Sequence, residues 1–158
     1  MAETKLTKRI KLALYRYTKA YMQGVYGVFE CVMGANTIGY GSEFVDFLTM
    51  DSDSEFRCYE IKVSKEDLYS NANLSFYGDY NYLVVPEDLY EDALLFVKER
   101  YGIKGKVGIL VYGNDGVIYS RLRCFKQKLR IEQRVANMYN MVRSGSRYTT
   151  KWFMMQNA

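Results

Sequence analysis

The chain has 158 residues, of which 49% are hydrophobic and 25% are charged, so it suits one domain with a hydrophobic core and is too apolar for a disordered protein. It contains no histidine, which excludes Ser-His-Asp and Cys-His nucleophilic sites and zinc sites that need histidine. No apolar run approaches the roughly 18 residues of a membrane helix. Because Cys31, Cys58 and Cys124 are widely spaced and odd in number, we expect reduced thiols and a cytoplasmic protein.

The charges are divided among three segments of the chain. The net charge is +4, with six basic and one acidic residue in 1–23, seven basic and sixteen acidic residues in 24–120, and nine basic and one acidic residue in 121–158. Basic ends suit a phosphate backbone, and an acidic centre suits a hard cation. Alternatively, the segments mix in the folded protein and its surface is simply mosaic.

The N-terminal part of the sequence predicts one helix followed by three strands. Apolar residues at helical spacing predict a helix from Lys8 to about Gln23, which Gly24 stops. Strands are predicted from Val25 to Met33, from Phe44 to Met50 and from Glu55 to Val63, with "DSDS" as the turn between the last two.

The C-terminal part predicts a short helix, "KEDLYSN", whose start is capped by Ser64 and Asp67. A strand from Tyr80 to Val85 ends at Pro86, and a helix follows to about Tyr101. The segments "KVGILVYG" and "VIYSRLRCF" around "NDG" predict a hairpin, and a last helix runs from about Gln127 to Phe153, weakened at Gly145.

This order of elements predicts a mixed α/β (α+β) domain, with a largely antiparallel central sheet flanked by helices. We expect residues 1–158 to form one domain, with a core over about 25–115 and a basic C-terminal extension over about 120–158.

The strand "RCYEIKVS" places two opposite charges on one face. Because side chains alternate along a strand, Glu60 and Lys62 lie on the same face as Cys58, while Tyr59 and Ile61 lie on the other. A carboxylate and an ammonium on one face of a strand this apolar need an explanation.

Asp46 stands in the middle of the preceding apolar strand, where an unpaired carboxylate is costly. If Met50 pairs with Glu55, Asp46 faces Tyr59. If the loop is one residue longer, Asp46 faces Glu60. In the second register the two carboxylates repel each other unless a positive charge lies between them.

A divalent cation would neutralise these carboxylates better than Lys62 alone. Mg²⁺ prefers a few carboxylate oxygens and water, and it lowers the pKa of a bound water. Lys62 would then orient the attacking water or neutralise the phosphate. The alternative is an exposed cross-strand network of ion pairs between Asp46, Glu60 and Lys62, which contributes little to stability.

These residues resemble the core of the PD-(D/E)XK nuclease superfamily: Asp46, then Glu60-Ile61-Lys62, then Ser64 and a short polar helix. The stretch "YEIKVSKEDL…NYLVVPEDL" is most similar to the MmcB-like DNA repair proteins and, more distantly, to archaeal Holliday-junction resolvases. The resemblance covers roughly residues 25–115. It implies a restriction-endonuclease-like core and a metal-dependent nuclease that acts on DNA in repair, recombination or phage biology.

The resemblance also implies roles for individual residues. Asp46 and Glu60 would be catalytic and would bind Mg²⁺ or Mn²⁺, the carbonyl of Ile61 would be a further ligand, and Lys62 would be the catalytic lysine. Many members carry another acid on the first helix, which here has none from Lys8 onward. Glu30 is the expected substitute, and Glu43 is a weaker candidate.

DNA contacts are expected from the basic C-terminal extension, where a solvated face is the alternative. By analogy we also expect a homodimer. A non-catalytic member of the same fold remains open; it would bind DNA or a protein partner, for example as a phage inhibitor of a host defence complex. An ordinary structural domain with incidental charges is a third alternative. The candidate nucleic-acid-binding residues are Arg121, Arg123, Lys126, Lys128, Arg130 and Arg134.

Overall fold

Six strands form a single mixed sheet in a computed structural model that describes residues 3–33, 43–70 and 74–158. The strands follow one another across the sheet in chain order. The first three are antiparallel, the third to fifth are parallel, and the last two are antiparallel. This confirms the predicted mixed, mostly antiparallel sheet. The strands are β1 Val25–Met33, β2 Glu43–Asp51, β3 Phe56–Ile61, β4 Tyr80–Pro86, β5 Gly108–Tyr112 and β6 Ile118–Leu122.

Four α-helices accompany the sheet, in the predicted order along the chain. A short 3₁₀ helix, Glu87–Leu89, precedes the third of them. In the described ranges, no helix is long and apolar enough to cross a membrane. The α-helices are α1 Lys5–Tyr17, α2 Lys65–Leu68, α3 Tyr90–Tyr101 and α4 Ile131–Asn157.

The ends of three helices differ from the prediction. Helix α1 begins at Lys5, because the Thr4 side chain accepts a hydrogen bond from the Thr7 N–H, and it ends at Tyr17 rather than Gln23. Two residues later Lys19 takes a left-handed conformation with φ 59°, which no helix can continue. Helix α2 is shorter than "KEDLYSN" and ends at Leu68; Asn71 of that stretch lies outside the described residues.

Helix α4 starts at Ile131 rather than Gln127 and runs without a break through Gly145. Its start is fixed by the Arg130 N–H, which donates to the Gln133 side chain over 2.9 Å. A single helical glycine costs only about 1 kcal/mol. Helix α4 packs on β1, and the predicted weakening at Gly145 does not interrupt it.

Helices cover both faces of the sheet. On one face, Ile10 and Leu14 of α1 pack against Phe47 and Tyr59 in the centre of the sheet. On the other face, α3 packs on β4 and β5, while α4 packs on β1. Leu48 of β2 and Cys58 of β3, on this second face, belong to the buried cluster that also contains Met141 of α4.

A buried ion pair ties the start of α4 to the sheet. The Asp79 carboxylate is fully buried and accepts hydrogen bonds from both terminal nitrogens of Arg134, over 2.6 and 3.0 Å, and from the Phe56 N–H over 2.7 Å. Arg134, a predicted DNA contact, is therefore engaged in a structural pair.

We expect Asp79→Ala to lower the free energy of unfolding by about 3 kcal/mol, because the Phe56 N–H and the Arg134 guanidinium lose their buried acceptor. Chemical denaturation measures this loss. Asp53→Ala, in the exposed turn, is the matched control and should change stability by less than about 0.5 kcal/mol. Equal stability of the two variants would contradict this account of the pair.

Candidate active site

The turn between β2 and β3 fixes which residues face each other. The Asp51 carboxylate accepts from the N–H groups of Asp53 and Glu55, over 2.9 and 3.0 Å, and Ser54 takes a left-handed conformation with φ 62°. An aspartate that closes a turn in this way sets the loop length. Met50 consequently pairs with Phe56, one residue beyond Glu55.

This register brings Asp46 opposite Glu60. Phe47 pairs with Tyr59, and the strands are antiparallel, so Asp46, which precedes Phe47, lies opposite Glu60, which follows Tyr59. The second of the two predicted registers is the observed one. The Asp46 side chain accepts a hydrogen bond from the Ile61 N–H over 2.7 Å, which holds the carboxylate across the hairpin.

The Asp46 and Glu60 carboxyl groups lie close enough together to shift each other's pKa, and both are largely withdrawn from water. Glu60 is only 4% exposed. Burial raises the pKa of Glu60 to about 9, and the negative charges of Asp46 and Glu43 act in the same direction. Burial also raises the pKa of Asp46, although the Ile61 N–H and the charge of Lys62 oppose the rise. At neutral pH the pair therefore shares a proton.

Lys62 lies on the same face and is itself only 7% exposed. Its backbone N–H donates to the Val84 carbonyl over 3.0 Å, which extends the parallel pairing of β3 with β4 past the end of the strand. Its ammonium nitrogen lies 3.6 Å from Asp67 Oδ1. The backbone thus fixes where Lys62 leaves the sheet, and Asp67 supplies a nearby counter-charge.

Asp67 has two further contacts that position it. Its other carboxylate oxygen accepts from the Val63 N–H over 3.0 Å, and its own N–H donates to the Ser64 side chain over 3.1 Å. The predicted cap of α2 is therefore present. The sequence indicated this residue as a helix cap, but it gave no sign that Asp67 also faces Lys62.

Glu43 is held beside the site at the start of β2. Its two carboxylate oxygens accept from the Ser75 N–H and from the Tyr77 hydroxyl, each over 2.9 Å. Its charge contributes to the raised pKa of Glu60. Glu43 is thus electrostatically coupled to the carboxylate pair while its own oxygens are engaged elsewhere.

Glu30 lies on the exposed edge strand β1. It takes a left-handed conformation with φ 50°, and its carboxylate lies 3.4 Å from the Lys11 ammonium and 3.5 Å from the Tyr148 hydroxyl. In the described part of the chain, no three His, Cys, Asp or Glu side chains converge on a metal-sized site. Glu30 therefore is not gathered with Asp46 and Glu60, and its role as a third ligand stays a prediction.

Lys11 is a second cation that sequence reasoning did not connect with the site. It lies on α1, where a lone lysine carries no distinguishing signal, yet its charge acts to lower the pKa of Asp46. It also forms ion pairs with Glu3 and Glu30. The carboxylate pair is therefore influenced by cations from both α1 and β3.

The predicted DNA contacts extend from β6 to the first turn of α4. Arg121 packs over the ring of Tyr90 at 4.2 Å, and Arg123 packs over Phe125 at 5.1 Å. Lys126 lies 3.0 Å from a Glu55 carboxylate oxygen. Four of the six side chains are exposed without an ion pair in the described residues: Arg121, Arg123, Lys128 and Arg130.

The carboxylate pair fits a divalent cation by its chemistry. Asp46 and Glu60 offer an oxygen-only donor set, and Mg²⁺ is typically held by one or two carboxylates with water completing its shell. Burial, together with the negative charge of Asp46, raises the pKa of Glu60 to about 9, so that the metal-free pair retains a proton at neutral pH. A cation would replace that proton. The Ile61 carbonyl stays a predicted ligand, since only its N–H contacts the pair.

Comparison with known proteins supports the fold alone. No protein-family model matches this sequence, and no curated protein matches it. The structure is similar to a solved structure titled "SPO1766 protein of unknown function from Silicibacter pomeroyi", with a TM-score of 0.72 and 16% sequence identity. The match covers 99% of this chain and 97% of the other chain. The resemblance to PD-(D/E)XK nucleases remains a prediction.

The raised pKa of Glu60 predicts how stability depends on pH without metal. Its folded pKa of about 9 lies above its ordinary value of 4.5, so the stabilisation is complete below pH 4.5 and is lost as pH rises through 9. Because a single proton is involved, the free energy of unfolding falls by at most about 1.4 kcal/mol per pH unit. Denaturation in EDTA should show wild type losing stability relative to Glu60→Gln over this range.

The matched control is Glu66→Gln, an exposed glutamate on α2, which should keep the wild-type pH dependence. If Glu60→Gln also follows the wild-type curve, the shared proton is not present and this view of the site fails.

Proposed function

We propose that the protein is a metal-dependent DNA nuclease of the PD-(D/E)XK type, which hydrolyses phosphodiester bonds. The observation that carries the proposal is the buried Asp46–Glu60 pair with Lys62 on the same face of the sheet. The order helix, three antiparallel strands, helix and parallel strand supports it, because the restriction-endonuclease-like core has the same order.

In this proposal Asp46 and Glu60 hold a Mg²⁺ or Mn²⁺ ion. Such an ion, when bound, lowers the pKa of a coordinated water and neutralises charge that develops on a phosphate. The register of β2 and β3 keeps the two carboxylates opposed before any cation arrives, so little reorganisation is needed on binding. The hydrogen bond from the Ile61 N–H holds Asp46 in that position.

Lys62 supplies a fixed positive charge next to the carboxylates. Because it is almost completely buried, its charge is less screened than that of a surface lysine, and it acts more strongly on a nearby anion. It would donate to a phosphate oxygen or orient the attacking water. Asp67, at 3.6 Å, would keep the ammonium in place between turnovers.

The substrate class follows from charge. The segment 121–158 carries nine basic residues and one acid, and the exposed Arg121 on β6 and Arg123 just after it suit a phosphate backbone. The three cysteines are free thiols, which supports the reducing cytoplasm as the place of action.

Lys62→Ala and Asp46→Asn should each reduce DNA cleavage by a factor of about 100 or more, because each removes a charge used in the transition state. Plasmid nicking with Mg²⁺ or Mn²⁺ measures this, with EDTA as the metal-free reference. Lys65→Ala is the matched control: Lys65 is an exposed lysine three residues further along, and its loss should leave cleavage unchanged.

Thermal unfolding of each variant establishes that it is folded. If folded Lys62→Ala and Asp46→Asn cut as fast as wild type, the proposed site is wrong. If wild type is inert with both metals and yet binds DNA, the protein is a non-catalytic member of the fold.

A further inference from the structure

Helix α4 carries a second apolar stripe on the side that faces away from the sheet. Its inner side packs on β1 through buried residues such as Met141 and Ser144. On the opposite side, Val142 is 68% exposed and Phe153 is 56% exposed. The outer stripe alternates in steps of four and three residues and contains no charge; four of its residues are apolar or aromatic and two carry a small hydroxyl side chain: Val135, Tyr139, Val142, Ser146, Thr149 and Phe153.

A step pattern of four and three residues is the seam of a two-stranded coiled coil. A helix that only covers a sheet needs one apolar stripe, and its outer side is normally polar. Helix α4 has two stripes on opposite sides. We propose that the outer stripe binds the same stripe of a second copy of this chain, with the two α4 helices parallel around a two-fold axis.

The exposed area suits a dimer. Ile131, one turn before the stripe, and Trp152, at its flank, are also more than 60% exposed. With the stripe, these side chains expose on the order of 600 Å² per chain, so burying most of this area on both chains would reach the lower end of the range of stable protein interfaces, about 1,200 Å². A patch of this size on a monomer would exceed the usual exposed apolar area.

The charges beside the stripe favour the parallel arrangement. Arg143 is the charged residue that directly flanks the seam, and it packs over Tyr139 at 5.6 Å. In an antiparallel pair centred on the midpoint of the stripe, at residue 144, Arg143 would approach Arg143 of the second copy. In a parallel pair it would lie beside Met138 of the second copy, where its aliphatic stem packs without repulsion.

The far end of α4 also gains partners in this arrangement. Residues 150–157 are all exposed, although they include Trp152, Phe153, Met154 and Met155. A helix end that is apolar on several sides and touches little of its own chain is stabilised when a second helix runs alongside it. Because the inner side of α4 faces its own sheet, the two bodies would lie on opposite sides of the helix pair.

The mass of the full-length protein in solution tests the proposal, independently of any nuclease activity. Sedimentation equilibrium across micromolar concentrations should give twice the chain mass of 18.5 kDa. The double variant Val135→Glu, Val142→Glu, which places like charges across the seam, should weaken association by on the order of a hundredfold. Met154→Glu, exposed on the same helix but off the stripe, should leave the dimer intact.

Oxidative cross-linking tests the orientation. In a parallel pair each stripe residue faces its own copy, so Val135→Cys and Phe153→Cys should each form a disulfide-linked dimer when diamide oxidises the two thiols. The wild-type protein, whose three cysteines are buried, gives the background level of cross-linking. A monomer at all concentrations, a dimer that the glutamate variant leaves unchanged, or failure of both cysteine variants to cross-link would overturn the proposal.

Discussion

Two carboxylates that face each other across the β2–β3 hairpin, one of them almost fully buried, are the constraint on which the rest of the candidate site depends. Asp46 and Glu60 occupy opposite positions of β2 and β3, and burial raises the pKa of Glu60 to about 9, so that it retains its proton at neutral pH. Such an arrangement is costly unless a proton, a lysine or a metal ion compensates the charge. In the proposed function the same feature would favour a cation, since a divalent ion would displace the proton and satisfy both groups.

The surrounding fold holds the pair in place by several independent contacts. The Asp51 turn fixes the register of the hairpin, and the Ile61 N–H fixes the Asp46 carboxylate. Parallel pairing with β4 extends to Lys62, because its N–H donates to the Val84 carbonyl, and this fixes the backbone position of the lysine. On this face of the sheet, helix α3 packs on β4 and β5 and helix α4 packs on β1. Pre-organisation of this kind is what electrostatic catalysis requires.

The order of elements and the pairing of charges could be read from the sequence because both follow from local periodicity. Alternation along "RCYEIKVS" placed Glu60 and Lys62 on one face, opposite Tyr59 and Ile61, and the α1-facing core contains those two apolar residues. Register could only be narrowed to two choices, since it depends on how Asp51 closes the turn. The contacts of Lys11 and Glu43 join segments that are distant in sequence, so the local pattern does not encode them, and the contact of Asp67 with Lys62 depends on how the chain turns into α2. Helix α1 ends at Tyr17 because Lys19 takes a left-handed conformation, which the apolar spacing does not reveal, and α4 continues to Asn157, beyond the predicted end at Phe153.

We expect a divalent cation to displace the proton shared by Asp46 and Glu60. Isothermal titration of Mn²⁺ into the metal-free protein at pH 7, in two buffers with different ionisation enthalpies, measures the protons released per ion. We predict release of about one proton by wild type, because the pKa of Glu60 is about 9 without metal. Glu60→Gln should bind more weakly and release none. Absence of binding, or binding by wild type without proton release, would contradict the account.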